Sequence, residues 1–272
     1  MGYYEPFSSL TTVATDPLIN FTIMFLIVVG GLGFYVWSDM KEKRLKFRRY
    51  RLHSKLVLST TGLLLIGGAV LYALFDWNGQ AFSGYTAPEK ILLSAFQSVT
   101  MRTAGFNTAD LASMSESSTI VSLFLMLIGG SPVGTAGGMK TVTIAVLICS
   151  AFATIRNKNS ATLFGRRISE ESIKKAVAVV VMFLTICTAA TILLMATSNA
   201  SAMDAVYETV SATATVGLSR NLTATLNTFG KLIIIVTMYF GRVGPISLAV
   251  ALGSKNESQN VISEPTEDIS IG

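Results

Sequence analysis

Two tripeptides of the form Thr-x-Gly carry the most specific chemistry this sequence could do: Thr103-Ala104-Gly105 and Thr215-Val216-Gly217. A cation stripped of water needs its lost oxygens replaced, and backbone carbonyls replace them without a full negative charge. Presenting carbonyls to an ion takes extended, non-helical backbone, which a membrane tolerates only where it lines an aqueous cavity or is buried in protein. Gly105 and Gly217 permit backbone angles that other residues resist, and the Thr103 and Thr215 hydroxyls can add further oxygens. Phe106-Asn107 and Leu218-Ser219 continue the two segments, so both stretches are candidate ion-lining strands.

Such tripeptides are common by chance, and what distinguishes these two is the elements around them. Thr86-Ala87-Pro88-Glu89 is a helix start signal, and the apolar run Ile91 to Phe96 that follows is too short to span a bilayer before Thr103. Ser201-Ala202-Met203-Asp204 resembles a capping box and opens a second short helix ending at Thr215. Phe96-Gln97-Ser98-Val99-Thr100 aligns with Tyr207-Glu208-Thr209-Val210-Ser211, Gly105 lies 112 positions before Gly217, and Gly129 lies 112 positions before Gly241. A third copy of the following span shows in Val29-Gly30-Gly31-Leu32-Gly33. The unit is therefore span, short re-entrant helix, Thr-x-Gly strand, span. The chain holds two full units and the last span of an earlier one. These repeats run parallel, unlike the inverted repeats of many secondary transporters, and no intramembrane carboxylates of the kind such transporters use stand out.

Composition agrees with a membrane setting. The 272 residues are 51% hydrophobic and only 14% charged, where a soluble domain carries about 25%, and mean hydropathy is +0.56. Leu18 to Ser38, Leu56 to Phe75 and Ala176 to Ala196 are free of charge, Thr119 to Ile155 is interrupted only by Lys140, and Leu232 to Gly253 only by Arg242. The first run begins too far from Met1, and lacks the basic leader, for a signal peptide. Basic residues concentrate between the first two spans (Lys41 to Lys55) and between Arg156 and Lys175, while the other connections are acidic. The positive-inside rule places those two loops and the tail in the cytoplasm. Loop charge explains the pI of 9.2 without nucleic-acid binding. His53 reads as a solvated residue of the first basic loop. Cys149 and Cys187 fall in apolar runs and read as packing residues, with neither disulfide nor zinc spacing. No nucleophile–base pair or metal cluster points to an enzyme.

Thr119 to Ile155 as one straight helix would be roughly 55 Å long at about 1.5 Å per residue, well beyond a hydrocarbon core of about 30 Å. Gly129-Gly130-Ser131-Pro132-Val133-Gly134-Thr135-Ala136-Gly137-Gly138 is the place to break it. Arg242 occupies the position of Gly31 and Gly130 in the other copies, and as a cation expected to be buried it needs an acceptor or water. Arg102, beside a candidate strand, is expected to turn away from the ion path and pair behind it with Glu208 or Asp110. The short helices aim partly negative carboxyl ends at the path, which favours cations.

At these residues the chain resembles the Trk/Ktr/HKT superfamily of potassium transporters. Arg102-Thr103-Ala104-Gly105-Phe106-Asn107-Thr108 is similar to the third pore-loop signature, Thr213 to Ser219 to the fourth, and Gly129 to Lys140 to the broken inner helix. The tail Glu264-Pro265-Thr266-Glu267-Asp268-Ile269 is similar to that of Ktr-type subunits. The resemblance implies an all-α membrane protein of repeated membrane helix–re-entrant pore helix/filter strand–membrane helix units. It implies K+ held at the filter carbonyls, and residues 129–138 acting with Arg242 as a gate below the filter. It further implies a homodimer in a bacterial plasma membrane and a cytosolic nucleotide-binding regulatory ring, with no cofactor in this chain itself. The organisation expected is an outer segment and last helix of a second repeat (1–40), a basic loop (41–55) and a third repeat (56–155). A second basic loop (156–175), a fourth repeat (176–254) and a cytoplasmic tail (255–272) follow. Four filter strands surround the pore in that family and two are present here, so an amino-terminally truncated, non-conducting assembly fragment is the alternative expectation. Gly2-Tyr3 mimics a potassium-filter dipeptide but no short helix precedes it.

Overall fold

The computed structural model describes residues 9–244, except 45 and 159. Gly2-Tyr3 and the acidic tail lie outside the described residues. The first apolar run forms α1 (Pro17–Gly31) and α2 (Phe34–Lys43). Asp16 caps α1 by accepting the Leu18 and Ile19 amides at 2.9 and 3.2 Å, with Pro17 at the first helical position. A single straight span is expected from Leu18 to Ser38, but the run bends by 91° between the two helices. Gly33 sits at the bend with φ +80°, and a Cβ there would lie 2.5 Å from the Pro132 carbonyl.

α3 (Leu52–Asp76) begins four residues before the apolar run. The cause is Asp39 of α2, whose carboxylate accepts the Arg51 amide at 2.9 Å and the Ser54 hydroxyl at 2.7 Å and so places negative charge at the helix start. His53 consequently lies in the first turn of α3, half-buried and edge-on to Tyr35 at 5.8 Å between ring centroids, and is not a solvated loop residue. The chain then makes α4 (Ala87–Thr100), α5 (Glu116–Leu127), α6 (Thr141–Ile155), the strands β1 (Thr162–Leu163) and β2 (Arg166–Arg167), α7 (Glu170–Thr197), α8 (Ala202–Thr213), the single turn α9 (Leu222–Thr225) and α10 (Thr228–Val243). The antiparallel hairpin pairs Thr162 with Arg167 and Leu163 with Arg166. Phe164 and Gly165, both at positive φ, form its two-residue turn in the second basic loop.

α3 and α7 are long and apolar enough to cross a membrane, and α1 with α2 makes a third candidate span if the bent pair is counted as one. Their 25 and 28 residues amount to about 38 and 42 Å of helix, enough to span with tilt. The short helices begin where their capping sequences stand. At α4 the Thr86 backbone and hydroxyl both donate to Glu89 at 2.7 Å, and at α8 the Ser201 hydroxyl accepts the Asp204 amide at 3.1 Å. α4 packs against α3 and α1, α8 lies between α7 and α10, and α5 touches α8. Span, short helix and span thus recur in the same arrangement. Tyr72, Met126, Phe183, Tyr207, Val216 and Leu218 belong to one buried cluster drawn from both units. The Tyr72 and Ser122 hydroxyls share a 2.7 Å hydrogen bond within it. In a bilayer such a cluster holds by close packing and internal hydrogen bonds, because lipid removes the hydrophobic drive between helices.

Candidate ion pathway

Each short helix gives way within three residues to a strand of unusual backbone. Thr103 has φ +63° and Gly105 φ +79°; at the equivalent positions Thr215 has φ +55° and Gly217 φ +88°. A β-branched residue at positive φ is a steric outlier, and here two occur in register with two glycines. In ordinary extended backbone successive carbonyls alternate in direction, and left-handed angles at every second residue turn them towards a common side. Among the described residues, no hydrogen bond is accepted by the carbonyls of Thr103, Ala104, Gly105, Thr215, Val216 or Gly217. The Thr103 hydroxyl has no partner either. Two runs of carbonyls left without protein donors are thus open to another ligand. The strands face each other closely: a Cβ on Gly105 would lie 2.6 Å from the Val216 carbonyl, and one on Gly217 would lie 3.9 Å from the Gly105 Cα.

The outer ends of the strands are tied down. The Phe106 carbonyl accepts the Thr100 hydroxyl, and the Asn107 carbonyl accepts the Leu10 amide at 3.1 Å. Those two carbonyls are therefore engaged within the protein, although both residues sit where the sequence places them. In the other strand the Leu218 amide donates to the Ser211 hydroxyl at 3.0 Å, and the Ser219 hydroxyl donates to Glu208 at 2.7 Å. Glu208 also accepts from the Thr223 hydroxyl.

Below the strands, residues 128–140 break the span between α5 and α6 as the length argument requires. Gly129 donates to the Met139 carbonyl at 2.8 Å and Thr141 to that of Gly130 at 3.1 Å, which close the loop at its neck. The loop is seated on the bend of the first span: the Ser131 amide donates to Gly31 O at 3.0 Å, the Thr135 hydroxyl to Gly30 O at 3.3 Å, and the Phe34 amide to Val133 O at 3.2 Å. Gly137 lies directly against the fourth-repeat strand, where a Cβ would collide with the Thr215 hydroxyl and lie 2.7 Å from the Ala214 carbonyl. On another side Arg242 Nη1 donates to the Thr135 carbonyl at 3.0 Å. Arg242 is exposed in the described structure rather than buried, and the loop carbonyl is its acceptor. Lys140 turns back to the Ala136 carbonyl at 2.6 Å, so it stays with the loop.

Arg102 corrects an expectation. It is buried at 7% exposure, and its Nη2 donates to the Gly129 carbonyl at 3.3 Å instead of to a carboxylate. Glu208 is occupied by Ser219 and Thr223, and Asp110 accepts the Ala112 amide at 3.1 Å.

Comparison with known proteins places this geometry. Residues 4–264 match the TrkH family, described as a cation transport protein. The chain belongs to the TrkH family. Ktr system potassium uptake protein B of Bacillus subtilis is 38% identical over 256 residues, covering 93% of this chain and 57% of that protein. Its counterpart in Vibrio alginolyticus is 37% identical over 266 residues, covering 97% and 58%. The potassium/sodium uptake protein NtpJ of Enterococcus hirae is 36% identical over 269 residues, covering 97% and 59%. The chain thus spans a little under three fifths of the length of these relatives. The crystal structure of the potassium transporter TrkH from Vibrio parahaemolyticus superposes with a TM-score of 0.70 over 86% of this chain and 52% of that one, at 18% identity, a likeness of fold. The TrkH family is one of membrane transporters and not of enzymes, and the pore-loop architecture expected from the repeat is the one found.

Two groups in this TrkH-family chain escaped the sequence reading. The bend at Gly31–Gly33 makes no break in hydropathy, and the alignment of its glycines with those of the loop is the one trace of it in the sequence. The Arg220–Asp204 ion pair at 3.0 Å, with Arg220 also donating to the Thr119 hydroxyl, fastens the segment after the fourth-repeat strand to α5 and α8. No spacing in the sequence announces it.

Proposed function

We propose that this chain supplies two strands of a potassium selectivity filter and the gate beneath it, within a potassium uptake system of the Ktr/Trk type. The observation that carries the reading is the paired alternation of left-handed backbone at Thr103/Gly105 and Thr215/Gly217 with free carbonyls between. Such carbonyls replace the hydration shell of a monovalent cation. The relatives named potassium uptake proteins support potassium as the ion, and NtpJ, named for potassium and sodium, leaves room for sodium dependence. Thr103 to Asn107 and Thr215 to Ser219 line the ion path, and 129–138 with Arg242 close it. A filter of this kind encircles its ion with four strands, of which the described residues supply two.

The basic loops face the cytoplasm of a bacterial cell whose plasma membrane holds the protein as a homodimer. There they dock a nucleotide-binding regulatory ring, and any nucleotide belongs to that partner. The presence of two such strands among the described residues favours a second reading, in which this chain alone assembles without conducting. The test is rubidium and potassium flux into proteoliposomes carrying the chain alone and carrying the completed assembly. Flux from the assembly and none from the chain alone supports the first reading. No cation flux from either, with both inserted, removes it.

A further inference from the structure

The loop beneath the strands is held to the floor of the filter at two equivalent places. Arg102 precedes the third-repeat strand and Ala214, 112 positions later, precedes the fourth. A Cβ on Gly137 would lie 2.7 Å from the Ala214 carbonyl, and one on Gly138 would lie 3.4 Å from the Ala214 Cβ, so the loop rests on Ala214 by contact alone. At Arg102 the attachment is a directional bond, from Nη2 to the Gly129 carbonyl at 3.3 Å.

That bond is unusual in what surrounds it. Arg102 is 7% exposed and, among the described residues, joins no ion pair. Its Nη1 has no partner, and neither has the hydroxyl of Thr61. Both residues border a void of about 10 Å³ beside Val28 and Gly31, space for about one water molecule and not for a counter-anion. A buried guanidinium without a carboxylate is costly, and removing its acceptor makes it costlier. The loop carbonyl is therefore the protein group that holds the charge in place. A guanidinium released from Gly129 would compete for other acceptors, and the strand that follows it in the chain carries the free carbonyls of Thr103 and Ala104.

We propose that Arg102 couples the gate loop to the selectivity filter, as a positioning residue that ties the place of Gly129 to the geometry of Thr103–Gly105. Moving the loop then changes ion discrimination as well as conduction. This rests on the reading of 129–138 as the gate and of the two strands as filter. Coupling of this sort differs from a folding role, which changes the amount of inserted protein but not the properties of each molecule.

The experiment uses the completed transporter in cells lacking other potassium uptake, with Arg102→Gln, Arg102→Lys, Arg242→Ala and the Arg102→Gln/Arg242→Ala pair. Potassium and sodium uptake are measured per inserted molecule. Arg102→Gln is expected to raise potassium flux and narrow the potassium-to-sodium ratio of apparent affinities together, each by roughly threefold or more. With Arg242→Ala the combined effect on flux is expected to fall short of the product of the single effects. Arg102→Lys, which keeps the charge without the planar fork, is expected between wild type and Gln. If the Gln variant fails to insert, the Lys variant is judged on the same two quantities. An unchanged affinity ratio, multiplicative effects, or loss of insertion in both Arg102 variants would overturn the coupling. A rise in flux for Arg242→Ala alongside an unchanged ratio for Arg102→Gln leaves the gate standing and removes only the coupling. An unmoved Arg242→Ala removes the gate itself.

Discussion

Arg242 Nη1 reaches the Thr135 carbonyl at 3.0 Å, joining the last described helix to a loop more than a hundred residues earlier in the chain. The same arginine stands where the other two copies of its span carry Gly31, which lies against that loop, and Gly130, which is part of it. Three equivalent positions thus come together at the loop, and only one brings a positive charge. In the proposed gate, a cation beside the closed loop adds an electrostatic barrier to potassium, and its bond adds a mechanical one. Arg242→Ala is expected to raise potassium flux per inserted molecule severalfold and to lessen dependence on a regulatory partner. Potassium uptake normalised to surface protein measures this, and a scaffold role predicts that insertion and flux fall together.

The seat of the loop gives a prediction about stability. Gly33 takes φ +80° with the Pro132 carbonyl in the way of any side chain. Gly33→Ala combines backbone strain of about 1–3 kcal/mol, in a region of φ and ψ open essentially to glycine alone, with that clash. Gly62, inside α3, has open space around its missing Cβ, and Gly62→Ala should gain roughly 0.5–1 kcal/mol of helix propensity. Melting of the detergent-solubilised protein is expected to move down for the first and to stay level or rise for the second. Equal shifts would show that the bend does not depend on glycine.

Glu208 is 5% exposed and receives the hydroxyls of Ser219 and Thr223. Glu208→Ala leaves two hydroxyls without their acceptor and should cost roughly 1–3 kcal/mol. Glu208→Gln keeps one acceptor oxygen and should cost less. The readout is thermal stability together with the apparent affinity for potassium. Both should worsen in the order Gln, then Ala, and affinity unaltered in the Ala variant would detach Glu208 from the filter.

Much of this arrangement could be read from residue types. The 112-residue offset joining Gly105 to Gly217 and Gly129 to Gly241 revealed the repeat, and a run too long for one helix revealed the break at 129–138. Caps at Thr86 and Ser201 located the short helices because capping is local chemistry. The bend after Gly31 was hidden because Leu18 to Ser38 is evenly apolar and contains no proline; it is set by amides of a loop about a hundred residues away. The Arg102 partner was misjudged for the same reason. A carboxylate is visible in a sequence as an acceptor, whereas the Gly129 carbonyl becomes one only when the loop folds back. His53 was misplaced because Asp39 starts α3 early, and the chain between them gives no sign that the two elements touch.

In the proposed filter Thr103–Gly105 and Thr215–Gly217 hold the ion through their carbonyls. Gly217 at φ +88° tests it most directly, since a side chain there strains the angle that orients the carbonyls while Gly217 has only one neighbouring atom near a Cβ, the Gly105 Cα at 3.9 Å. The measurement is competition of sodium against potassium for uptake by Gly217→Ser in the completed transporter, per inserted molecule. Normal insertion is expected, with potassium preference reduced roughly tenfold or more, a change of about 1.4 kcal/mol in discrimination. Unchanged apparent affinities for both ions in Gly217→Ser would contradict it.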